Sequence, residues 1–161
     1  MMNPIAVLFA VIIVIAGLAA GIYFGLGLLA SGNTSNAAQD IMTIVGNAQE
    51  VYGVQGDYAG ISTNESNIIP KGIQTSTPLG GTFALASSGA GLPASQFDVE
   101  MTGLTLSKTA CQKLVTQVSD IGTSVNGSSI GNSNSAPTGA QAVSACSGGA
   151  SSVYFTFGNN S

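Results

Sequence analysis

The chain has 161 residues, 45% of them hydrophobic and only 6% charged, with a net charge of −4; ordinary globular proteins carry about 25% charged residues. It contains no Arg, His or Trp, and its cations are Lys71, Lys108 and Lys113, which argues against resident nucleic-acid binding, because phosphate contacts need clustered basic side chains. High hydrophobicity at low net charge also argues against disorder, so the surface must be made polar by Ser, Thr, Asn, Gln and Gly, as suits secreted proteins and packed filaments.

From Pro4 to Ala30 no side chain is charged. As a helix, Ile5 to Ala30 would be about 39 Å long at 1.5 Å per residue, enough to cross a hydrocarbon core of roughly 30 Å. Asn3 can cap it and Pro4 suits its first position. Residues 1–30 therefore read as a hydrophobic membrane or filament-core helix. A signal peptide would begin with a basic region, and none is present. The expectation is that a basic leader has been removed, that Met1 is the mature N-terminus, and that the leader set the orientation in the membrane. Gly17, Gly21 and Gly25 are spaced four apart on one helix face, a pattern that lets helices approach closely in an apolar medium; the alternative is that glycine is simply common in such helices. Gly21, Gly25 and Gly27 also make this stretch easy to unwind.

After the polar break SGNTSN (31–36), Ala37, Ile41, Ile44, Val45, Ala48 and Val51 or Tyr52 recur at steps of three and four. This is one apolar face of a 3.6-period helix, with Asp40, Gln49 and Glu50 mostly on other faces. The polar break is either a loop or part of one long helix; the favoured element is the long helix over roughly 4–53, ended by Gly53 and the GVQGDYAG run. Its second half, 31–53, is an amphipathic continuation. Ile41, Ile44, Val45, Ala48 and Tyr52 should pack on a globular head over 54–161. The roughly 130 residues beyond the apolar N-terminus suffice for one domain with one core.

Within the head, residues 53–80 read as a connecting segment punctuated by Gly and Pro, with apolar patches such as Ile68 and Ile69. Gly81–Ala86 is an expected strand. Gln96–Thr102 is a clearer one, because Phe97, Val99 and Met101 alternate with Asp98, Glu100 and Thr102. Ser107 reads as the N-cap of a helix over Lys108–Asp120, with Ala110, Leu114 and Val118 at helical spacing and Cys111 in its first turns. Residues 122–140, rich in Ser, Asn and Gly, read as a loop with a short edge strand near Val125 or Ile130. Ser152–Phe157 reads as a terminal strand. Cys111 and Cys146 are the two cysteines. An even count in a chain with an export-like N-terminus points to one disulfide; two buried free thiols are the alternative. A bond between them would tie the C-terminal strand back to the second helix.

Without His, and with both cysteines expected to pair, the usual zinc sites and the Ser-His and Cys-His nucleophiles are not available. No catalytic residue, metal ligand or cofactor is expected. Asp98 and Glu100 share a strand face, which could serve glycosidase chemistry or bind calcium, but the solvated face of an amphipathic strand is the simpler reading. Gly80-Gly81 and Gly89-x-Gly91 are not phosphate loops, since no Gly-Lys-Ser/Thr follows. The sequons at Asn33, Asn64, Asn126 and Asn159 are expected by chance in a chain so rich in Asn and Ser.

The run AAQDIMTIVGNAQEVYG (37–53) followed by GDYAG, and the segment LTLSKTACQKLV (104–115), resemble the type IV pilins, most closely type IVb major pilins of conjugative and enteric-adhesion systems. The resemblance implies an α+β fold: a long N-terminal helix packed on an antiparallel β-sheet, with a disulfide-closed C-terminal region. It also implies a subunit that waits in the inner membrane, is processed by a prepilin peptidase and is stacked by assembly machinery into a homo-oligomeric extracellular filament. A monomeric membrane-anchored binding domain or a minor pseudopilin is the alternative. One position departs from the family: most type IV pilins carry a glutamate five residues into the mature chain, where this chain has Ile5 if Met1 is the start.

Overall fold

The computed structural model describes residues 32–73, 77–87, 92–118, 120–130 and 137–158. Over these residues the chain forms a helix, α1 (32–52), a 3-10 turn at Ile61–Asn64, and the short helix α2 (Glu65–Ile68). Strands β1 (Thr82–Ala86) and β2 (Gln96–Leu106) follow, then helix α3 (Lys108–Gln117) and the hairpin β3 (Gly122–Val125) and β4 (Ser128–Ile130). Helix α4 (Gly139–Ala145) leads to the last strand, β5 (Ala150–Gly158). The fold is α+β, and the five strands form one antiparallel sheet in the order β1-β2-β5-β3-β4.

The sheet is amphipathic because its strands alternate. Phe97, Val99 and Met101 of β2 and Val153, Phe155 and Phe157 of β5 point to one face and are buried. Their register pairs Phe97 with Phe157, Val99 with Phe155 and Met101 with Val153. Side chains opposed in this way are the unit of sheet stabilisation. Phe83 and Leu85 of β1 and Val125 of β3 extend the same face, and Ala37, Ile41, Ile44, Val45 and Ala48 of α1 join them in one core.

The polar stretch 32–36 is helical and continuous with the amphipathic run. Among the described residues no helix is long and apolar enough to cross a membrane. Pro4–Ala30, and with it Met1, Ile5, Gly17, Gly21 and Gly25, lies outside the described residues.

Four stretches differ from the sequence reading. The connecting segment is partly ordered into the 3-10 turn and α2, which bury Ile61 and Ile68. Strand β2 runs four residues past Thr102 to Leu106, with an irregularity between Thr102 and Leu106. There Gly103 has a φ of 70°, and Gly81 lies so close that a Cβ on it would collide with the Thr102 carbonyl oxygen. Helix α3 stops at Gln117 rather than Asp120, because the chain turns extended at Val118, whose side chain stays in the core. The Ser- and Asn-rich stretch holds a hairpin and a helix as well as a loop. Asn126 and Gly127 have φ values of 50° and 80°, the positive pair that a two-residue type I′ turn requires. The short edge strand is β4, which holds Ile130, whereas β3, which holds Val125, pairs with both β4 and β5.

Candidate functional site

The described helix α1 has two unlike faces. Ala37, Ile41, Ile44 and Ala48 are fully buried, Val45 nearly so, and Tyr52 is half-buried against the same core. Val51 points away. The outward side carries Met42, Thr43, Gly46, Gln49 and Glu50, all exposed, and Val51 is exposed at the helix's last turn on a different side. Met42 and Val51 are 49% and 48% exposed, and a Cβ at Gly46 would meet open space. This side presents small, apolar and uncharged groups around a single carboxylate, Glu50. Asp40, half-buried on α1, has its carboxyl pushed above the usual range by burial.

Polar side chains hold α1 to the segment that follows it. The Asn47 side-chain amide donates to the Ile68 carbonyl at 2.8 Å. The Tyr52 hydroxyl accepts from the Asn64 side chain at 2.9 Å. Tyr52, Tyr58, Phe97 and Phe157 then form a chain of tilted ring contacts, with centroids 6.2, 4.6 and 5.9 Å apart. That chain runs from α1 across the connecting segment and through β2 to β5.

The C-terminal region is closed by a Cys111–Cys146 disulfide, with Cα atoms 5.7 Å apart, across a separation of 35 residues. Both sulfur-bearing residues are fully buried. Capping fixes each helix that brings a cysteine. Ser107 accepts from the Ala110 backbone at the start of α3. Thr138 and Gln141 form a reciprocal capping box at the start of α4, and Cys146 is its C-cap. Such boxes satisfy two orphan backbone donors at once. Thr138-x-x-Gln141 was the readable signal for α4, obscured by the Ser, Asn and Gly around it.

The sheet's other face carries carboxylates. Asp98 accepts the Thr156 hydroxyl at 2.5 Å across the β2–β5 pair. Burial raises its pKa, with the Thr156 bond opposing. Glu100 is raised by burial, then by the charges of Asp98 and Glu65. Asp98 and Glu100 are thus half-buried and Asp98 is tied across strands, which is more constrained than the freely solvated face expected of them. Asp120, just before β3, accepts the Thr123 hydroxyl at 2.6 Å. Burial pushes its pKa up to about 6, against the Thr123 bond and the Asp120 backbone N–H and with help from the charge of Asp98. Among the described residues no group of three or more His, Cys, Asp or Glu is placed to hold a metal ion.

A family model described as PilS N terminal matches residues 31–158. No curated protein and no solved structure matches the chain.

Proposed function

Because this chain belongs to the PilS N-terminal family, whose members are type IVb pilins, we propose that it is the major subunit of an extracellular pilus, polymerised through its N-terminal helix. The observation that carries this reading is the two-sided α1. Its inner face is sealed into the head, and its outer face, bearing Met42 and Gly46 beside a single carboxylate, is left for neighbours.

Physics favours a filament for such a chain. The charge-free segment Pro4–Ala30 leaves lipid at little cost only if sister helices bury the same surface, with Gly17, Gly21 and Gly25 allowing close approach. Head-to-tail contacts that do not close build an open helical polymer. On this reading residues 1–30 form the filament core, 31–53 join core to head, and 54–161 face outward. The inner membrane is the subunit's solvent before assembly, and a prepilin peptidase and assembly machinery are its partners. The filament serves adhesion, aggregation or conjugation.

Electron microscopy of material sheared from producing cells tests the proposal. Abundant filaments containing this chain are expected. Recovery only from detergent-extracted membranes, as a monomer, would instead establish an anchored binding domain or a minor pseudopilin.

A further inference from the structure

Two carboxylates flank strand β5 at one residue, Thr156. Asp98 lies on β2, whose Asp98 is in register with Thr156. Asp120 lies on the other side, where Ile121 donates its backbone N–H to the Thr156 carbonyl and Gly122 pairs with Thr156. One hydroxyl proton is available between them, and Thr156 gives it to Asp98. Asp120 takes the Thr123 hydroxyl on Oδ2, and its Oδ1 is buried with no hydrogen-bond partner. A buried acceptor left unmet costs free energy, more so when charged.

Among the causes that shift Asp120 none is a cation. The charge that acts on Asp120 is that of Asp98. On the same face, Glu100 belongs to β2, Tyr154 to β5, and Glu65 approaches from α2. Strands β1, β3 and β4 contribute no ionisable side chain.

We propose that Asp120, with Asp98 across β5, is a built-in proton acceptor that hardens the head in mild acid and loosens the β3–β5 seam toward neutral pH. A proton on Asp120 removes one of two like charges and turns an unmet acceptor into a neutral carboxyl group. The folded state then binds more protons than the unfolded chain. Stability is therefore greatest below the ordinary carboxylate range, near pH 4, and is lost as pH rises toward about 6. This runs opposite to the usual salt-bridged carboxylate, which stabilises a fold as pH rises.

The test is denaturant unfolding of the full chain in non-ionic detergent between pH 4 and 7.5, with infrared spectra of the folded protein at pH 5. The unfolding constant is expected to rise by up to roughly a hundredfold over that interval, and a protonated carboxyl band to be present at pH 5. Asp120→Asn should weaken the band, the remainder coming from the other carboxyls that burial raises, lower the pH slope, and raise stability at pH 7.5. Asp98→Asn, which removes the neighbouring charge, should move the remaining transition to lower pH. A wild-type chain without the band, or an Asp120→Asn chain that keeps the full slope, would overturn the proposal. Should Asp120→Asn fail to fold, the shift of the transition in Asp98→Asn decides it: a transition that stays in place would overturn the proposal.

Discussion

The two faces of the sheet are built from the same strands and follow opposite rules. On β2, Phe97, Val99 and Met101 enter the core while Asp98, Glu100 and Thr102 face the other way. On β5, Val153, Phe155 and Phe157 do the same against Ser152, Tyr154 and Thr156. The inner face is held by area removed from water, which tolerates no missing volume. The outer face is held by a few directed hydrogen bonds between groups that would rather keep their water. The lesson is that shape errors should matter on one face and charge on the other, with substitutions even changing sign between them.

The sharpest way to break this contrast is on the inner face. Phe155→Ala removes a fully buried ring at the sheet's centre and is expected to cost about 3–5 kcal/mol, read as a lower denaturation midpoint with unchanged slope. Opening the disulfide comes next. Cys111→Ser frees a loop of 35 residues, worth about 4 kcal/mol in the chain-entropy model. Protease sensitivity between α3 and β5 should rise, and pilus yield should fall; fully stable filaments at normal yield would contradict that role. Ile44→Ala, where α1 meets the sheet, should cost about 3 kcal/mol, and hydrogen exchange should show α1 loosened before the central strands. Thr138→Ala removes one half of the α4 capping box and should cost about 1 kcal/mol. The outer face supplies the smallest effect and the reversed sign. Burial and like charges raise the Glu100 pKa, so its charge works against the fold once pH passes that value. Glu100→Gln should therefore stabilise at neutral pH, by less than about 0.5 kcal/mol, and do nothing at pH 4. A loss of stability at neutral pH would mean that this face is organised by its charges rather than strained by them.

How much of this was legible in the sequence depended on periodicity. The helix 32–52 repeats every three or four residues, and β2 alternates strictly between Phe97 and Thr102, so both stand out. Ser107 marked the start of α3. The remainder was hidden for separate reasons. Helix α4 buries only Ala142 within its own span, too little for an apolar stripe. The hairpin turn at Asn126–Gly127 sits in a run where Asn and Gly are so common that a turn signal does not stand out. That β5 lies between β2 and β3 is a tertiary fact, set by pairing across distant segments. Asp120 had no local signal at all. Its raised pKa comes first from burial in the folded sheet and then from Asp98, 22 positions away in the chain and on the other side of β5.

Glu65 closes the open side of β1. Its Oε1 accepts the Leu85 backbone N–H at 2.6 Å, on the side of β1 away from β2. An exposed strand edge is a template on which another chain can pair. A molecule kept at high local concentration would otherwise have a route to self-association, sheet joined to sheet with no defined end. A carboxylate set into that edge repels an incoming strand and occupies a donor it would need. The opposite edge strand, β4, is only three residues long and offers little to copy. Pairing by the wrong contact is thus discouraged at both margins of the sheet.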